Sequence, residues 1–167
     1  MTTTMQLITE ADWQVLRDAR LTALRDAPEA FSSTYAREVA FDEKTWRGRT
    51  ATTRNFVARD AGSQVIGLVG GRRMPDSPSS DREVLSLWVA PSARGHGVAG
   101  MLIDAVADWA RKEGARTLRL WVVDDNTPAQ AAYLRAGFTM TGERQSVSPD
   151  DPRFEVRMSR SLSPCER

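Results

Sequence analysis

Cysteine and histidine are almost missing from this chain: its 167 residues hold one of each, Cys165 and His96. A single cysteine excludes an internal disulfide framework and suits a reducing compartment. Its place near the end of the chain argues against a catalytic thiol, because termini are usually poorly ordered. Charge of one sign is lacking too. The 23 Lys and Arg nearly balance the 22 Asp and Glu, leaving a net charge of +1. No global field favours nucleic acid or an anionic membrane, so neither is expected as a partner. No apolar run approaches the length of a membrane span. The opening residues have neither the cationic start nor the apolar stretch of a secretory signal. The expectation is a cytoplasmic protein, off the membrane, with no metal among its cofactors.

What is present describes a globular domain. Apolar residues make up 41% and charged residues 27%, and the length suits one domain with its own core. A single domain over residues 1–167 is expected, with residues 160–167 as a loose tail. Residues 5–9 read as a strand. Thr9 and Asp12 resemble a capping box opening a helix, with Val15, Leu16, Ala19, Ala23 and Leu24 as its apolar stripe and Pro28 as its stop. A second short helix is expected near 42–50. Strands at 54–59 and 64–72 flank the turn Asp60-Ala61-Gly62-Ser63 as a hairpin. Residues 74–81 form a loop, and 83–90 form a strand on which Glu83, Leu85, Leu87 and Val89 share one face by alternation.

The strongest helix follows, with Val98, Leu102, Ala105, Val106 and Trp109 at helical spacing and Gly114 at its C-terminal stop. Then come a strand at 117–123 and a short helix at 126–137, with Thr127 and Gln130 as a capping pair and Pro128 at its first position. Two strands, 138–143 and 153–159, close the chain around a loop holding Ser148, Pro149 and Pro152. The order is β-α-α-β-β-β-α-β-α-β-β. Strands 83–90 and 117–123, joined by a long helix, should be parallel neighbours.

Between that strand and that helix lies Gly95-His96-Gly97-Val98-Ala99-Gly100, formally a G-x-G-x-x-G dinucleotide turn. Its context opposes that reading. Pro91 to Arg94 separate strand from glycine, whereas a dinucleotide turn begins almost at the strand end. No further series of parallel units follows. Arg94 to Ala99 read better as one unit, R-x-x-G-x-A. Glycines opening a helix leave unpaired N–H groups aimed at one point, add the helix dipole, and let a phosphate approach the backbone. The Arg94 guanidinium could add charge. That describes a pyrophosphate site without specifying the nucleotide.

Residues 85–110, with this unit at their centre, resemble the acyl-CoA-binding segment of the GNAT superfamily of N-acetyltransferases. Residues 126–138 are similar to its second motif, N-x-x-A-x-x-x-Y-x-x-x-G-F, matched by Asn126, Ala129, Tyr133, Gly137 and Phe138. The two motifs stand in the family's order. The resemblance covers residues 54–160 best. It implies a mixed α/β fold whose central, mostly antiparallel sheet of about six to seven strands has one splayed parallel pair and about four flanking helices. It also implies acetyl-CoA as cofactor and an amine as acceptor, by direct transfer in a ternary complex. The acceptor is a small molecule or a protein, with a small molecule preferred because no dense acidic docking surface shows in the composition.

The resemblance assigns residues as follows. Leu87, Trp88 and Val89 supply main-chain groups to the pantetheine arm. Arg94, Gly95, His96, Gly97, Val98 and Ala99 hold the pyrophosphate, His96 through its backbone rather than its ring. Asn126 bonds the pantetheine amide. Tyr133 gives a proton to the departing thiolate, and backbone N–H groups near Val89 face the developing oxyanion. An alkylammonium must lose a proton before it attacks. Glu83, eleven residues before Arg94, stands where the histone acetyltransferases among the family's members carry the general base. Trp121 occupies the position where the ribosomal-protein branch carries its glutamate, which argues against that branch's base. Asp124 and Asp125 are reserves, adequately explained by turn chemistry. Phe31, Tyr35, Phe41 and Trp46, with residues 144–152, are expected around the acceptor, although packing explains any one of the aromatics as well. Homodimers are common in the family, and no interface is marked here. Two other classes remain open: an acyl-CoA sensor of the same fold without catalysis, and a nucleotide oxidoreductase.

Overall fold

The computed structural model describes residues 2–75 and 78–163; Cys165 lies outside them. Seven strands, β1 (Thr4–Leu7), β2 (Arg54–Arg59), β3 (Val65–Arg73), β4 (Asp81–Val89), β5 (Thr117–Val123), β6 (Thr139–Ser148) and β7 (Asp151–Ser161), form one sheet in the order β1-β2-β3-β4-β5-β7-β6. Only β4 and β5 are parallel. The helices are α1 (Trp13–Asp26), α2 (Tyr35–Glu38), α3 (Glu43–Thr52), α4 (Val98–Lys112) and α5 (Thr127–Arg135). This is the mixed α/β architecture expected, with one helical turn, α2, that no periodicity announced.

Each face of the sheet buries its own core. On one, Leu16, Ala19, Ala23 and Leu24 of α1 pack with Phe31, Trp46, Val57, Leu68 and Trp88. On the other, Val98, Leu102, Ile103 and Val106 of α4 pack with Val69, Val84, Leu118 and Leu120, and with Tyr133 and Phe138. Helix α4 sits very close to the sheet at Gly71, where an added Cβ would lie 2.8 Å from the Trp109 ring.

The Asp60–Ser63 turn forms as expected, with Asp60 Oδ1 accepting from the N–H groups of Gly62 and Gln64 at 2.9 Å. Asp12 accepts from the Thr9 N–H and hydroxyl, as the capping pair required. Three expectations need correction. The cap of α5 is Asn126, not Thr127, and Gln130 turns back onto the carbonyls of Val123 and Asp124. The last two strands are longer than 138–143 and 153–159, and only two residues separate them. Strand β6 is the outer strand and almost wholly exposed, so it needs no apolar alternation. Residues 160–162 are not loose: β7 runs to Ser161, and the buried Leu162 donates its N–H to Arg116 O at 2.7 Å.

Candidate active site

The parallel pair is joined for three residues only, Asp81 to Glu83 against Thr117 to Arg119. Beyond Glu83, β4 stays with β3 while β5 stays with β7 over its whole length. The two strands therefore part, and β4 keeps an unpaired edge inside the sheet. Ser86 marks the departure. Its φ is +62°, a left-handed conformation uncommon outside glycine, and the β3–β4 register shifts opposite it. This bulge overturns the expected shared face. Leu85, and Glu83 two residues before it, lie on the α1–α3 side, whereas Leu87 and Val89 pack on the α4 side. The extra residue reverses the alternation, so Trp88 swings into the α1–α3 core.

The open edge runs into the glycine turn. Gly95 and Gly97 have φ of +79° and +80°, and Gly97 is the N-cap of α4. A Cβ at either position would meet nothing within 4 Å, so the turn is open on the side where side chains would stand, at a helix start whose first N–H groups have no partner within the helix. That arrangement suits a phosphate group. Val98 is buried beneath the turn, and Ala99 follows it in the first turn of α4. The exposed His96 ring has Nδ1 3.0 Å from Arg94 O, a contact within the turn.

Arg94 does not simply point at the glycines. Its Nε donates to Val89 O at 3.0 Å and its Nη2 to Asp26 Oδ2 at 2.6 Å. The same Asp26 oxygen accepts from Trp88 Nε1 at 2.9 Å. Asp26, at the end of α1, thus ties the end of β4 to the glycine turn. Nothing in the local sequence marks it, because its partners lie 62 and 68 residues away.

The groups that could move protons lie on opposite faces of the sheet. Tyr133 belongs to the α4-side core, edge-on to Phe138 at 5.7 Å. Burial pushes its phenol far above the ordinary tyrosine range, so it remains a proton donor. Asn126 caps α5 through Oδ1, which accepts from the Ala129 N–H at 3.3 Å. Glu83 sits on the other face, largely buried, with Arg72 Nε donating to Oε2 at 2.9 Å. Glu155 of β7 was missed by the sequence reading. It alternates with Val156, which packs on the α4 side, and so shares the face of Glu83. Burial raises its carboxyl above the usual range, partly offset by a 2.7 Å hydrogen bond from Gln145, and the nearby charge of Glu83 adds to the rise. Of the reserves, Asp124 is exposed and pairs with Arg144 at 3.4 Å.

The expected aromatics do not gather into a single pocket. Trp46 is 1% exposed and packs beside Phe41, with rings 5.9 Å apart, so it is core. Phe31 is buried beneath the Arg20 guanidinium at 4.7 Å. Tyr35 is half-buried and accepts from Arg25. The cavity on this face, about 270 Å³, is lined by Leu16, Leu85 and Ser86 with Arg20, Arg49 and Arg72. Residues 144–152 are mostly strand rather than loop. From just beyond their tip, Arg153 donates to Glu29 O at 2.5 Å and Phe31 O at 3.5 Å, fastening the hairpin to the segment after α1.

The Acetyltransferase (GNAT) family model matches residues 17–138. The chain belongs to the GNAT acetyltransferase family. Streptothricin acetyltransferase of Streptomyces lavendulae is 36% identical over 96 residues, which are 57% of this chain and 49% of that one. A mycothiol acetyltransferase of Pseudarthrobacter chlorophenolicus is 32% identical over 132 residues, 78% of this chain and 39% of that one. The chain thus spans half or less of the length of these curated relatives. Among solved GNAT structures, yncA of Salmonella typhimurium with its cofactor acetyl-CoA superposes with a TM-score of 0.75 at 16% identity, covering 100% of this chain and 98% of that one. Nourseothricin acetyltransferase gives 0.60 at 31% identity, covering 67% and 66%.

Proposed function

We propose that the protein is an acetyl-CoA-dependent N-acetyltransferase that acetylates a primary amine by direct transfer in a ternary complex, in a cytoplasmic setting. One observation carries the reading: an unpaired strand edge inside the sheet leads, through the short turn at Pro91–Ala93, into an open glycine turn at the start of α4. A linear donor with an amide-bearing arm and a pyrophosphate fits that path. The donor supplies an activated acetyl thioester.

In this reading the free β4 edge at Leu87 to Val89 pairs with the arm, and the backbone of Gly95 to Ala99 takes the pyrophosphate. Arg94 shares its charge between Asp26 and that site. The Nδ2 of Asn126, whose Oδ1 caps α5, is the group for an arm carbonyl. The amine comes from the α1–α3 face, where Glu83 or Glu155 removes its proton. Glu155 is favoured, because burial raises its carboxyl, whereas Arg72 already occupies one Glu83 oxygen. Tyr133, on the other face, protonates the sulfur as it leaves. Base and acid on opposite faces keep the two proton transfers from short-circuiting. The acceptor is a small molecule.

The test is thiol release from acetyl-CoA across an amine panel, with CoA-induced thermal stabilisation measured in parallel. Turnover with at least one amine is expected. Stabilisation by CoA without turnover on any amine would make the protein a sensor, and stabilisation by NAD but not CoA would remove the acyl-CoA reading altogether.

A further inference from the structure

The cavity on the α1–α3 face carries more positive charge than its own carboxylates neutralise. Three of its walls are guanidinium groups, from Arg20, Arg49 and Arg72. Two carboxylates answer them. Glu38, fully buried, takes both Arg20, at 2.8 and 3.3 Å, and Arg49, at 2.7 Å. Glu83 takes Arg72. Among the lining guanidiniums and their direct partners one positive charge is left over, in a pocket floored by Leu16, Leu68 and Leu85; the Glu155 carboxyl on the same face accepts from Gln145 rather than from these arginines. The donors to spare are identifiable. Arg49 uses one N–H on Glu38, and its Nε and Nη1 donate to none of the described residues. Arg20 spends three of its five N–H groups, one of them on Ser86 Oγ at 2.9 Å. A half-enclosed guanidinium with free N–H groups is stabilised by an oxyanion that accepts two of them in parallel.

The cavity also adjoins the gap. Leu85 and Ser86 line it, immediately beyond the last β4–β5 pair. Ser86 holds its unusual backbone conformation while its hydroxyl accepts from Arg20. Strained backbone of this kind persists where surrounding structure enforces it, often at functional sites. From Ser86 to Val89 the strand advances by roughly 10 Å, so an anion held here is separated from an amine at the gap by an extended linker of several carbons.

We infer that this pocket is an anion subsite for the acceptor: the protein acetylates an amine that carries its own carboxylate or similar oxyanion several carbons away, such as an ω-amino acid. The inference rests on the acetyltransferase reading. A polycationic amine would meet the surplus guanidinium charge and be disfavoured.

The experiment compares matched triplets, each an ω-amino acid, its carboxamide and its decarboxylated amine, as acceptors for the 167-residue protein. The free acid is expected to show kcat/KM at least about tenfold above both analogues, because a site built for an anion leaves donors unpaired without it. The advantage should collapse, mainly through KM, in Arg49→Gln. It should persist in the double variant Arg20→Gln with Glu38→Gln, which removes that buried pair as a neutral unit and leaves the surplus charge on Arg49. An unchanged CoA-induced stabilisation shows that both variants are folded. Equal or better use of the carboxamides and amines overturns the inference while leaving the reaction intact, as does an advantage that survives Arg49→Gln. If no amine is turned over, the acetyltransferase reading fails instead. The pocket is then judged by thermal shift in the presence of CoA, where N-acetyl-6-aminohexanoate must stabilise more than its carboxamide, and equal shifts overturn the inference.

Discussion

Tyr133 and the two glutamates divide the chemistry at the level of single groups. A phenol kept neutral by burial can donate at any physiological pH, so removing its oxygen should remove that step and little else. Tyr133→Phe is expected to lower kcat by roughly a hundredfold while leaving the CoA dissociation constant nearly unchanged. An unaltered kcat would strike Tyr133 from the mechanism. The base can be assigned through pH. It must be ionised to act, so kcat/KM rises with pH through its pKa. Because the Glu155 carboxyl is raised, Glu155→Gln should abolish the acidic limb, whereas Glu83→Gln should lower the carboxyl of Glu155 by removing a neighbouring negative charge and move that limb to lower pH. If only Glu83→Gln abolishes the limb, the roles are reversed.

At the level of elements, β4 shows what a sequence discloses and what it withholds. Its existence, its parallel partner and the glycine turn beyond it were all legible, because apolar runs, a long crossover helix and glycine spacing are local signals. The bulge was not. A serine with positive φ has no signature in the sequence, and alternation carried through it puts Leu87 and Val89 on the wrong face. Glu155 was hidden for another reason: it lay in an expected strand, but only the pairing of β7 with β5 brings it to the face of Glu83. Trp46 was misassigned because an aromatic beside a polar helix reads alike as core or pocket. The bulge can be tested by backbone preference. Ser86→Val should be destabilised relative to Ser86→Gly by about 1–2 kcal/mol in urea unfolding, since only glycine takes the left-handed conformation freely. Equal stabilities would mean that the strand is regular at that point. At Gly71, where a methyl group would press on Trp109 and Val106, Gly71→Ala should cost about 1–3 kcal/mol by overpacking, read from the same unfolding curves.

Across the whole molecule, Glu38 links α1, α2 and α3 through its two arginines. Burial by itself would raise its carboxyl, but the hydrogen bonds and charges of Arg20 and Arg49 outweigh it and hold the group below the ordinary glutamate value. A lowered pKa means that the unfolded chain binds the proton more readily. The stabilisation is therefore complete above the unfolded value of 4.5 and is lost as pH falls through the folded one. Glu38→Gln should lower stability at neutral pH by roughly 3–5 kcal/mol, because two guanidiniums lose their partner. It should also flatten the loss of stability on acidification below the unfolded value. A variant that acidifies with the wild-type slope would show that the triad does not carry this dependence.

The parting of β4 from β5 has one more consequence. A sheet edge is a template for stray strands, and proteins usually guard theirs with charges, prolines or short outer strands. Here an edge lies in the middle of the sheet, flanked by covalently continuous strands and roofed on both faces by helices. It is protected by enclosure rather than by composition. Only something as slender as a single extended chain can reach it, which makes the gap a size filter against aggregation as well as a docking groove.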